Sequence, residues 1–251
     1  MRFLEFGNKQ NRAIILIHGF LSSWKMWLPQ IDFFSKDYYV IVPVLDGHDP
    51  EDSPSTFTTI EKASHDIIDH VIHLYGTHIF ALCGASLGAT IGVNLLAQNK
   101  LKVDKAIIDC GPVVPMNKFL LNFFIRIRLH QIQQMKKGSH RFYKTLSASY
   151  LPAELVDETF KIGAHMTNAT CRNVHESVYN YSLPTSIATC QTDITYWYGS
   201  KESMFGKKYA KALLDRLPHA KIKVFEGCQH GELCIGKPQQ YIKEAVKFLG
   251  T

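Results

Sequence analysis

The sequence lacks the long apolar runs and the leader that would direct a chain into or across a membrane. None of its apolar runs approaches the ~20 residues that a membrane-spanning helix needs. The first residues show no basic region followed by a long apolar stretch, so we expect no secretory signal. These two absences predict a cytoplasmic protein without an integral membrane segment.

The sequence also lacks closely spaced cysteines and the common metal and phosphate motifs. It contains no Cys-x-x-Cys pair, no His-Glu-x-x-His and no glycine-rich phosphate loop. We therefore expect no metal and no other cofactor, and we expect the thiols to be reduced and buried. The six cysteines are Cys83, Cys110, Cys171, Cys190, Cys228 and Cys234.

Acidic residues are scarce in the second half of the chain. Residues 1–110 carry 9 Lys and Arg against 12 Asp and Glu, whereas residues 111–190 carry 9 against 4 and residues 191–251 carry 10 against 6. The basic residues are scattered and do not alternate with aromatic ones, which argues against a nucleic-acid partner.

Short apolar segments that suit buried strands alternate with segments of helical spacing. This alternation predicts an α/β fold, in which a mostly parallel sheet carries helices on both faces. A chain of 251 residues is long enough for one such domain. We predict strands at 13–18, 38–44, 78–83, 103–109, 193–198 and 220–225, and an edge strand at Arg2–Phe6. We predict helices at 24–35, 60–74, 87–98, 205–216 and 238–249.

The alternation stops after Gly111, and helical patterns without a convincing strand follow. The predicted layout is a core in two parts, 1–111 and 191–251, with a helical insertion at 112–190. The apolar stripe from Phe119 to Leu129 is expected to face inward and to line an apolar pocket. Two alternatives are that this helix contacts a membrane surface through its arginines, or that the insertion only packs on one edge of the sheet. Predicted helices of the insertion cover 119–129, 139–148, 152–163 and 170–180.

The segment Gly84-Ala85-Ser86-Leu87-Gly88 stands between a predicted strand and a predicted helix. A Gly-x-Ser-x-Gly turn in this context is typical of a nucleophile elbow, which exposes the serine on a strained turn. Ser86 is therefore the candidate nucleophile. Because a serine hydroxyl is a poor nucleophile, it needs a base, an orienting acid and donors for an oxyanion.

Two further segments complete a resemblance to a known family. His18-Gly19-Phe20 follows the first predicted core strand, and Gln229-His230-Gly231 follows the last. With the elbow, they occur in the order and spacing of the α/β-hydrolase superfamily, and the chain resembles its esterase/lipase-like members from about Arg12 onward. The resemblance implies an α/β-hydrolase fold, with the insertion as a helical cap over the active site.

The resemblance also implies roles for further residues. His230 takes the position of the catalytic base, and the backbone N–H groups of Phe20 and Leu87 take those of the oxyanion donors. Glu202 stands three residues after Gly199, where the family usually has an aspartate. The alternative acid is Asp109, at the end of the preceding strand, because some relatives place their acid there.

Other histidines are expected to have structural roles. His18 and His48 belong to loops in which the resemblance implies orientation of neighbouring backbone rather than catalysis.

The predicted function is hydrolysis of carboxylic esters with small to medium apolar acyl groups, through an acyl-enzyme on a Ser-His-Glu triad. The substrate is a small molecule, and the oligomeric state stays open. Cleavage of a thioester, an amide or a carbon–carbon bond on the same triad is an alternative. A ligand-binding receptor on a hydrolase scaffold is another.

Overall fold

The computed structural model describes residues 1–51 and 55–250 and contains one seven-stranded sheet. The strands lie in the order β1-β3-β2-β4-β5-β6-β7. All neighbouring pairs are parallel except β1 and β3, which are antiparallel. The strands are β1 Arg2–Phe6, β2 Ala13–Ile17, β3 Tyr39–Val44, β4 His78–Ala85, β5 Lys102–Asp109, β6 Asp193–Gly199 and β7 Lys221–Phe225.

Helices connect the strands and cover both faces of the sheet. The helices of the core are α1 Leu28–Phe34, α2 Ile60–Leu74, α3 Leu87–Ala97, α8 Ser203–Arg216, α9 Glu232–Gly236 and α10 Pro238–Leu249. Four more lie between β5 and β6: α4 Lys118–Lys136, α5 His140–Ser147, α6 Ala153–His165 and α7 Asn168–Tyr179. Short 3-10 helices cover Trp24–Trp27, Thr185–Thr189 and Ser200–Glu202. Within the described residues, no helix has both the length and the apolarity needed to cross a membrane.

The central strands are uniformly apolar because helices cover them on both sides. All five residues of β2 and all six of β3 are buried, as expected for inner strands of a parallel sheet. On one face, Ile67 of α2 and Leu213 of α8 belong to one apolar cluster. On the other face, Phe34 of α1 and Tyr241 of α10 belong to a second.

The predicted α/β fold and its strands are confirmed, each strand to within two residues of its predicted ends. Some helices differ from the sequence-based expectation. The helix predicted at 119–129 extends to Lys136 as α4. The helix predicted at 24–35 is split into a 3-10 helix and α1, with Pro29 in the first turn of α1. The short helix α9 was not predicted.

The insertion has a small apolar core of its own. Buried side chains of α4, α6 and α7 form it together with Met166, and Phe20 and Leu21 of the core domain pack against it. The expectation that the whole stripe from Phe119 to Leu129 faces inward is wrong. Phe119 is 86 % exposed and Phe123 is 58 % exposed, because α4 buries the opposite side of its first turns through Leu121 and Ile125.

Candidate active site

Ser86 occupies a sharp turn between β4 and α3. Its backbone has φ 54° and ψ −113°, a conformation that L-residues adopt at some cost. The flanking glycines let the backbone segments pass closely. A Cβ on Gly84 would lie 2.4 Å from the Gly88 carbonyl oxygen, and one on Gly88 would lie 2.2 Å from the Ile17 carbonyl oxygen.

A chain of hydrogen bonds links Ser86 to His230 and Glu202. His230 Nε2 lies 2.8 Å from Ser86 Oγ, and His230 Nδ1 lies 2.6 Å from Glu202 Oε2. These three residues follow β4, β6 and β7, which end at the same edge of the parallel sheet. The sequence-predicted nucleophile, base and acid are therefore brought together at the carboxyl edge.

Glu202 is held by the loop that follows β6. Its second carboxylate oxygen, Oε1, accepts a hydrogen bond from the Gly199 N–H at 3.3 Å. A Cβ on Gly199 would lie 2.2 Å from the Cys228 carbonyl oxygen, so glycine allows the loops after β6 and β7 to touch. The Glu202 side chain is 15 % exposed and that of His230 is 50 % exposed. The carboxylate is thus shielded, while the imidazole remains open to a ligand.

Asp109, the alternative acid, lies nearby but has a different environment. It ends β5, is buried, and its Oδ2 has no hydrogen-bond partner among the described residues. Burial raises the pKa of this carboxyl to about 7, and the charge of Glu202 adds to the shift. The carboxylate that hydrogen-bonds His230 Nδ1 is therefore that of Glu202.

The two candidate oxyanion donors flank Ser86. Leu87 is the first residue of α3, so its N–H has no acceptor within the helix. Phe20 follows Gly19, and a Cβ on Gly19 would lie only 3.6 Å from the Ser86 Cβ. The turn His18–Phe20 thus runs beside the serine, where two N–H groups suit an oxyanion.

His18 and His48 do not take part in the hydrogen bonds that link Ser86, His230 and Glu202. His18 is fully buried, its Nε2 accepts from the Leu45 N–H at 3.0 Å, and its Nδ1 lies 2.9 Å from the Gly19 carbonyl oxygen. Burial lowers the pKa of His18 to about 3 and that of His48 to about 4. Both rings are therefore neutral at physiological pH, and His18 ties the loop after β3 to the turn that carries Phe20.

Two residues near His230 were not found by sequence reasoning. The Tyr150 hydroxyl, in the loop between α5 and α6, donates to the His230 carbonyl oxygen at 2.6 Å. Cys110 Sγ lies 3.8 Å from His230 Nε2. No motif marks a tyrosine in an insertion, whereas the place of Cys110 directly after β5 puts it at the edge of the sheet where the candidate residues meet.

Three of the four non-glycine residues with positive φ in the described chain lie around Ser86. Besides Ser86, Leu21 has φ 55° and Cys110 has φ 51°, and the fourth, Asn99, lies just beyond the end of α3. Leu21 belongs to the turn after β2 and Cys110 follows β5, so all three lie at carboxyl ends of neighbouring strands. Such clustering is frequent at functional sites.

Cys110, Glu202 and His230 form the one group of metal-ligand types found among residues 1–51 and 55–250, with ligand atoms within 4.8 Å of one another. Both nitrogens of His230 already have partners, Ser86 on one side and Glu202 on the other. The group therefore fits proton transfer through the imidazole better than it fits a resident metal.

Comparisons with known proteins agree with this architecture. A hydrolase of (E)-2-((N-methylformamido)methylene)succinate from Acinetobacter baylyi is 30% identical over 102 residues, 39% of this chain and 37% of that protein. Epoxide hydrolase 3 of Xenopus tropicalis is 28% identical over 112 residues, 44% of this chain and 30% of that protein. These matches span about a third of the length of either relative.

A solved structure extends the similarity to the whole chain. It comes from work on carboxylesterases of the ammonia-oxidizing thaumarchaeon Nitrososphaera gargenis, has a TM-score of 0.81 and is 19% identical. The superposition covers 99% of this chain and 93% of that one. The sequence profile of the alpha/beta hydrolase family matches residues 14–244. With its sheet order and its elbow, this chain belongs to the alpha/beta hydrolase family.

Proposed function

We propose that this protein is a serine hydrolase that cleaves carboxylic esters through an acyl-enzyme. The observation that carries the proposal is the unbroken hydrogen-bonded chain Ser86–His230–Glu202, with 2.8 Å and 2.6 Å between the paired atoms. These distances are already those at which a base takes a proton from a serine hydroxyl.

In the first half of the reaction, Ser86 Oγ attacks the ester carbonyl carbon while His230 Nε2 takes the hydroxyl proton. The carbonyl oxygen becomes an oxyanion, which the N–H groups of Phe20 and Leu87 stabilise. His230 then gives the proton to the leaving alkoxide, the carbon–oxygen bond of the ester breaks, and the alcohol departs. Ser86 remains as an ester of the acyl group.

In the second half, water repeats these steps. His230 takes a proton from a water molecule, the hydroxide attacks the acyl carbon, and the proton returns to Ser86 Oγ as the acid leaves. Glu202 keeps the imidazole in the tautomer that carries its proton on Nδ1, so that Nε2 can accept a proton. It also stabilises the imidazolium, which forms twice in each catalytic cycle. Tyr150, which donates to the His230 carbonyl, limits movement of the loop that carries the imidazole.

The insertion is proposed as a cap over this site, since it contacts several loops of the carboxyl edge. The Phe20 ring meets His175 of α7 edge-on at 4.5 Å, and Thr170 Oγ1 accepts from the Phe57 N–H at 3.3 Å. Lys25, near the turn after β2, pairs with Glu158 of α6 at 3.0 Å. Together with the contact of Tyr150 with His230, these contacts tie the insertion to the segments that follow β2, β3 and β7.

The apolar core of the insertion supports an apolar acyl group. Phe20 and Leu21 follow Gly19, which lies beside Ser86. They pack against Ile132, Met166 and their neighbours. An acyl chain on Ser86 would thus meet apolar side chains, and each buried methylene contributes about 0.8 kcal/mol. We propose small to medium acyl groups, because a compact insertion of four helices leaves limited room.

The named relatives suggest other bonds that the same residues could act on. The Acinetobacter baylyi protein is named for hydrolysis of an N-methylformamido compound, so amide-like bonds are the second candidate class. An aspartate at the elbow would favour epoxide opening, but this chain has Ser86 there.

Fluorophosphonate labelling of the purified protein tests the proposal. We expect rapid labelling of wild-type protein and none of Ser86→Ala, because only an activated serine reacts quickly. Hydrolysis of p-nitrophenyl acetate, butyrate, octanoate and palmitate then measures acyl preference. Butyrate should exceed acetate by about tenfold in kcat/KM, since two more methylenes are buried.

Ser147→Ala is the matched control, since Ser147 is an exposed serine of α5 that bonds only within its helix. Labelling of Ser86→Ala at the wild-type rate would contradict the proposed nucleophile. Absence of labelling in wild-type protein would instead favour a binding protein on a hydrolase scaffold.

A further inference from the structure

Helix α4 has an outward face that combines aromatic and basic side chains. Phe119, Phe123, Arg126 and His130 are all exposed and follow one another at spacings of four, three and four residues, which places them on one side of the helix. Phe119 is more exposed than any other large apolar side chain of the described residues. Within residues 1–51 and 55–250 nothing covers Phe119 and Phe123, and two exposed phenylalanines one turn apart indicate an interaction surface.

The segment of the chain that carries this face has charges of one sign. Between Asp109 and Glu154 the sequence contains seven Lys and Arg and no Asp or Glu. Four of the seven belong to α4, and none of these four forms an ion pair with another described residue. The basic side chains of α4 are therefore not paired with carboxylates of the described residues, although Asp157 of α6 lies against α5.

The same helix leads inward to the candidate active site. Phe124 stacks on Tyr179 with 6.2 Å between ring centroids, and Tyr179 lies 5.9 Å from His175. His175 in turn contacts the ring of Phe20. The backbone N–H of Phe20 is a candidate oxyanion donor. A partner that contacts the outer face of α4 would thus be separated from Ser86 by α4 itself and by one layer of aromatic side chains.

We propose that the outward face of α4 docks the protein on an anionic lipid surface. Phe119 and Phe123 insert between the lipid headgroups, while Lys118 and Arg126 bind the phosphates. This arrangement follows the physics of interfacial amphipathic helices, in which aromatic side chains enter the boundary and cations stay at the charged surface. The docking is independent of the proposed ester chemistry.

The charge pattern disfavours a second copy of the chain as the occupant. In a two-fold dimer the same surface patch meets itself. Two faces without acidic residues would bring positive charges together, and such like-charge contacts are unfavourable. An anionic lipid surface has the complementary charge and no fixed shape that the helix must match.

Co-sedimentation with sucrose-loaded vesicles tests the docking. Wild-type protein should bind vesicles containing 30 % phosphatidylglycerol in phosphatidylcholine, bind pure phosphatidylcholine weakly, and be released by 1 M NaCl. The double variant Phe119→Ser/Phe123→Ser should lose about tenfold or more in partition coefficient, because two large apolar side chains no longer insert. Arg126→Gln should lose about fivefold on anionic vesicles only.

The matched control is Leu28→Ser/Phe33→Ser, which removes two partly exposed apolar side chains of α1 and should leave binding unchanged. All variants should keep wild-type hydrolysis of soluble p-nitrophenyl acetate, which separates loss of docking from loss of catalysis. Equal binding to both kinds of vesicle, or unchanged binding of the Phe119/Phe123 variant, would overturn the proposal. So would a dimer in sedimentation velocity that the same double variant abolishes, since it would make a second copy the occupant.

Discussion

At the scale of single residues, the site holds two carboxyl groups with different environments. Glu202 is hydrogen-bonded to the imidazole and to the Gly199 N–H. Asp109 is buried without a partner for Oδ2, and burial raises its pKa to about 7. Glu202 is therefore the carboxylate placed to stabilise an imidazolium, because it is the one in direct contact with the His230 ring.

We expect Glu202→Gln to lower kcat for p-nitrophenyl butyrate by about 10³–10⁴, since loss of the acid leaves the imidazole in the wrong tautomer. Asp109→Asn should lower kcat by less than tenfold, because Asp109 does not hydrogen-bond His230. Steady-state kinetics of both variants at pH 8 measure the two effects. A reversed order would make Asp109 the acid.

At the scale of elements, a hydrogen bond joins the insertion to the loop after β7. Tyr150 donates to the carbonyl oxygen of His230, and Gly231 and Gly236 of the same region approach the Tyr150 residue closely. The insertion therefore restrains the backbone of His230 through Tyr150, while Glu202, after β6, holds the imidazole ring through Nδ1.

Tyr150→Phe should lower kcat about five- to tenfold and leave KM for short esters within a factor of two, because a hydrogen bond of about 1 kcal/mol is lost from a loop that must stay positioned. Tyr143→Phe is the control, since the Tyr143 hydroxyl bonds Asp157 within the insertion. Steady-state kinetics of both variants on p-nitrophenyl butyrate measure the two changes in kcat and KM. Equal effects would mean that Tyr150 acts only by stabilising the insertion.

The elements that were predicted from the sequence are those that local patterns specify. The strand before Ser86, the turn and α3 follow from five residues and their flanks, and the positions of Glu202 and His230 follow from loops that end parallel strands. The outward direction of Phe119 and the contact of Tyr150 with His230 could not be predicted. Both depend on how the insertion docks on the core, which is fixed by packing between residues far apart in the sequence.

At the scale of the whole molecule, three buried histidines and one buried aspartate determine how stability responds to acid. Burial lowers the pKa of His18 to about 3 and the pKa values of His48 and His175 to about 4. Each stabilises the fold above its unfolded pKa of about 6.5 and loses that contribution as the pH falls towards its folded pKa. Asp109, whose pKa is raised, acts in the opposite sense between about pH 4 and 7.

Between pH 6.5 and 4 the unfolded chain therefore binds about three more protons on histidines and one fewer on Asp109. We expect the free energy of unfolding to fall by about 3 kcal/mol per pH unit in this window. Urea unfolding at pH 7.5, 6.0 and 5.0 measures the slope. Asp109→Asn removes the opposing group, so its slope should be steeper by about 1.4 kcal/mol per pH unit; an unchanged slope would contradict the raised pKa.

The left-handed backbone at Leu21, Ser86 and Cys110 has a consequence for laboratory evolution. A non-glycine residue in such a conformation costs on the order of 1–3 kcal/mol, more than the ~0.5–1 kcal/mol that glycine loses through the freedom of the unfolded chain. Leu21 packs against the apolar core of the insertion and Cys110 is buried, so glycine at either position would also lose side-chain packing. Selection for heat resistance alone should therefore enrich glycine at Ser86, where only the backbone strain is at stake. Since Ser86 is the candidate nucleophile, a library screened only for survival at high temperature would favour stable proteins that lack it.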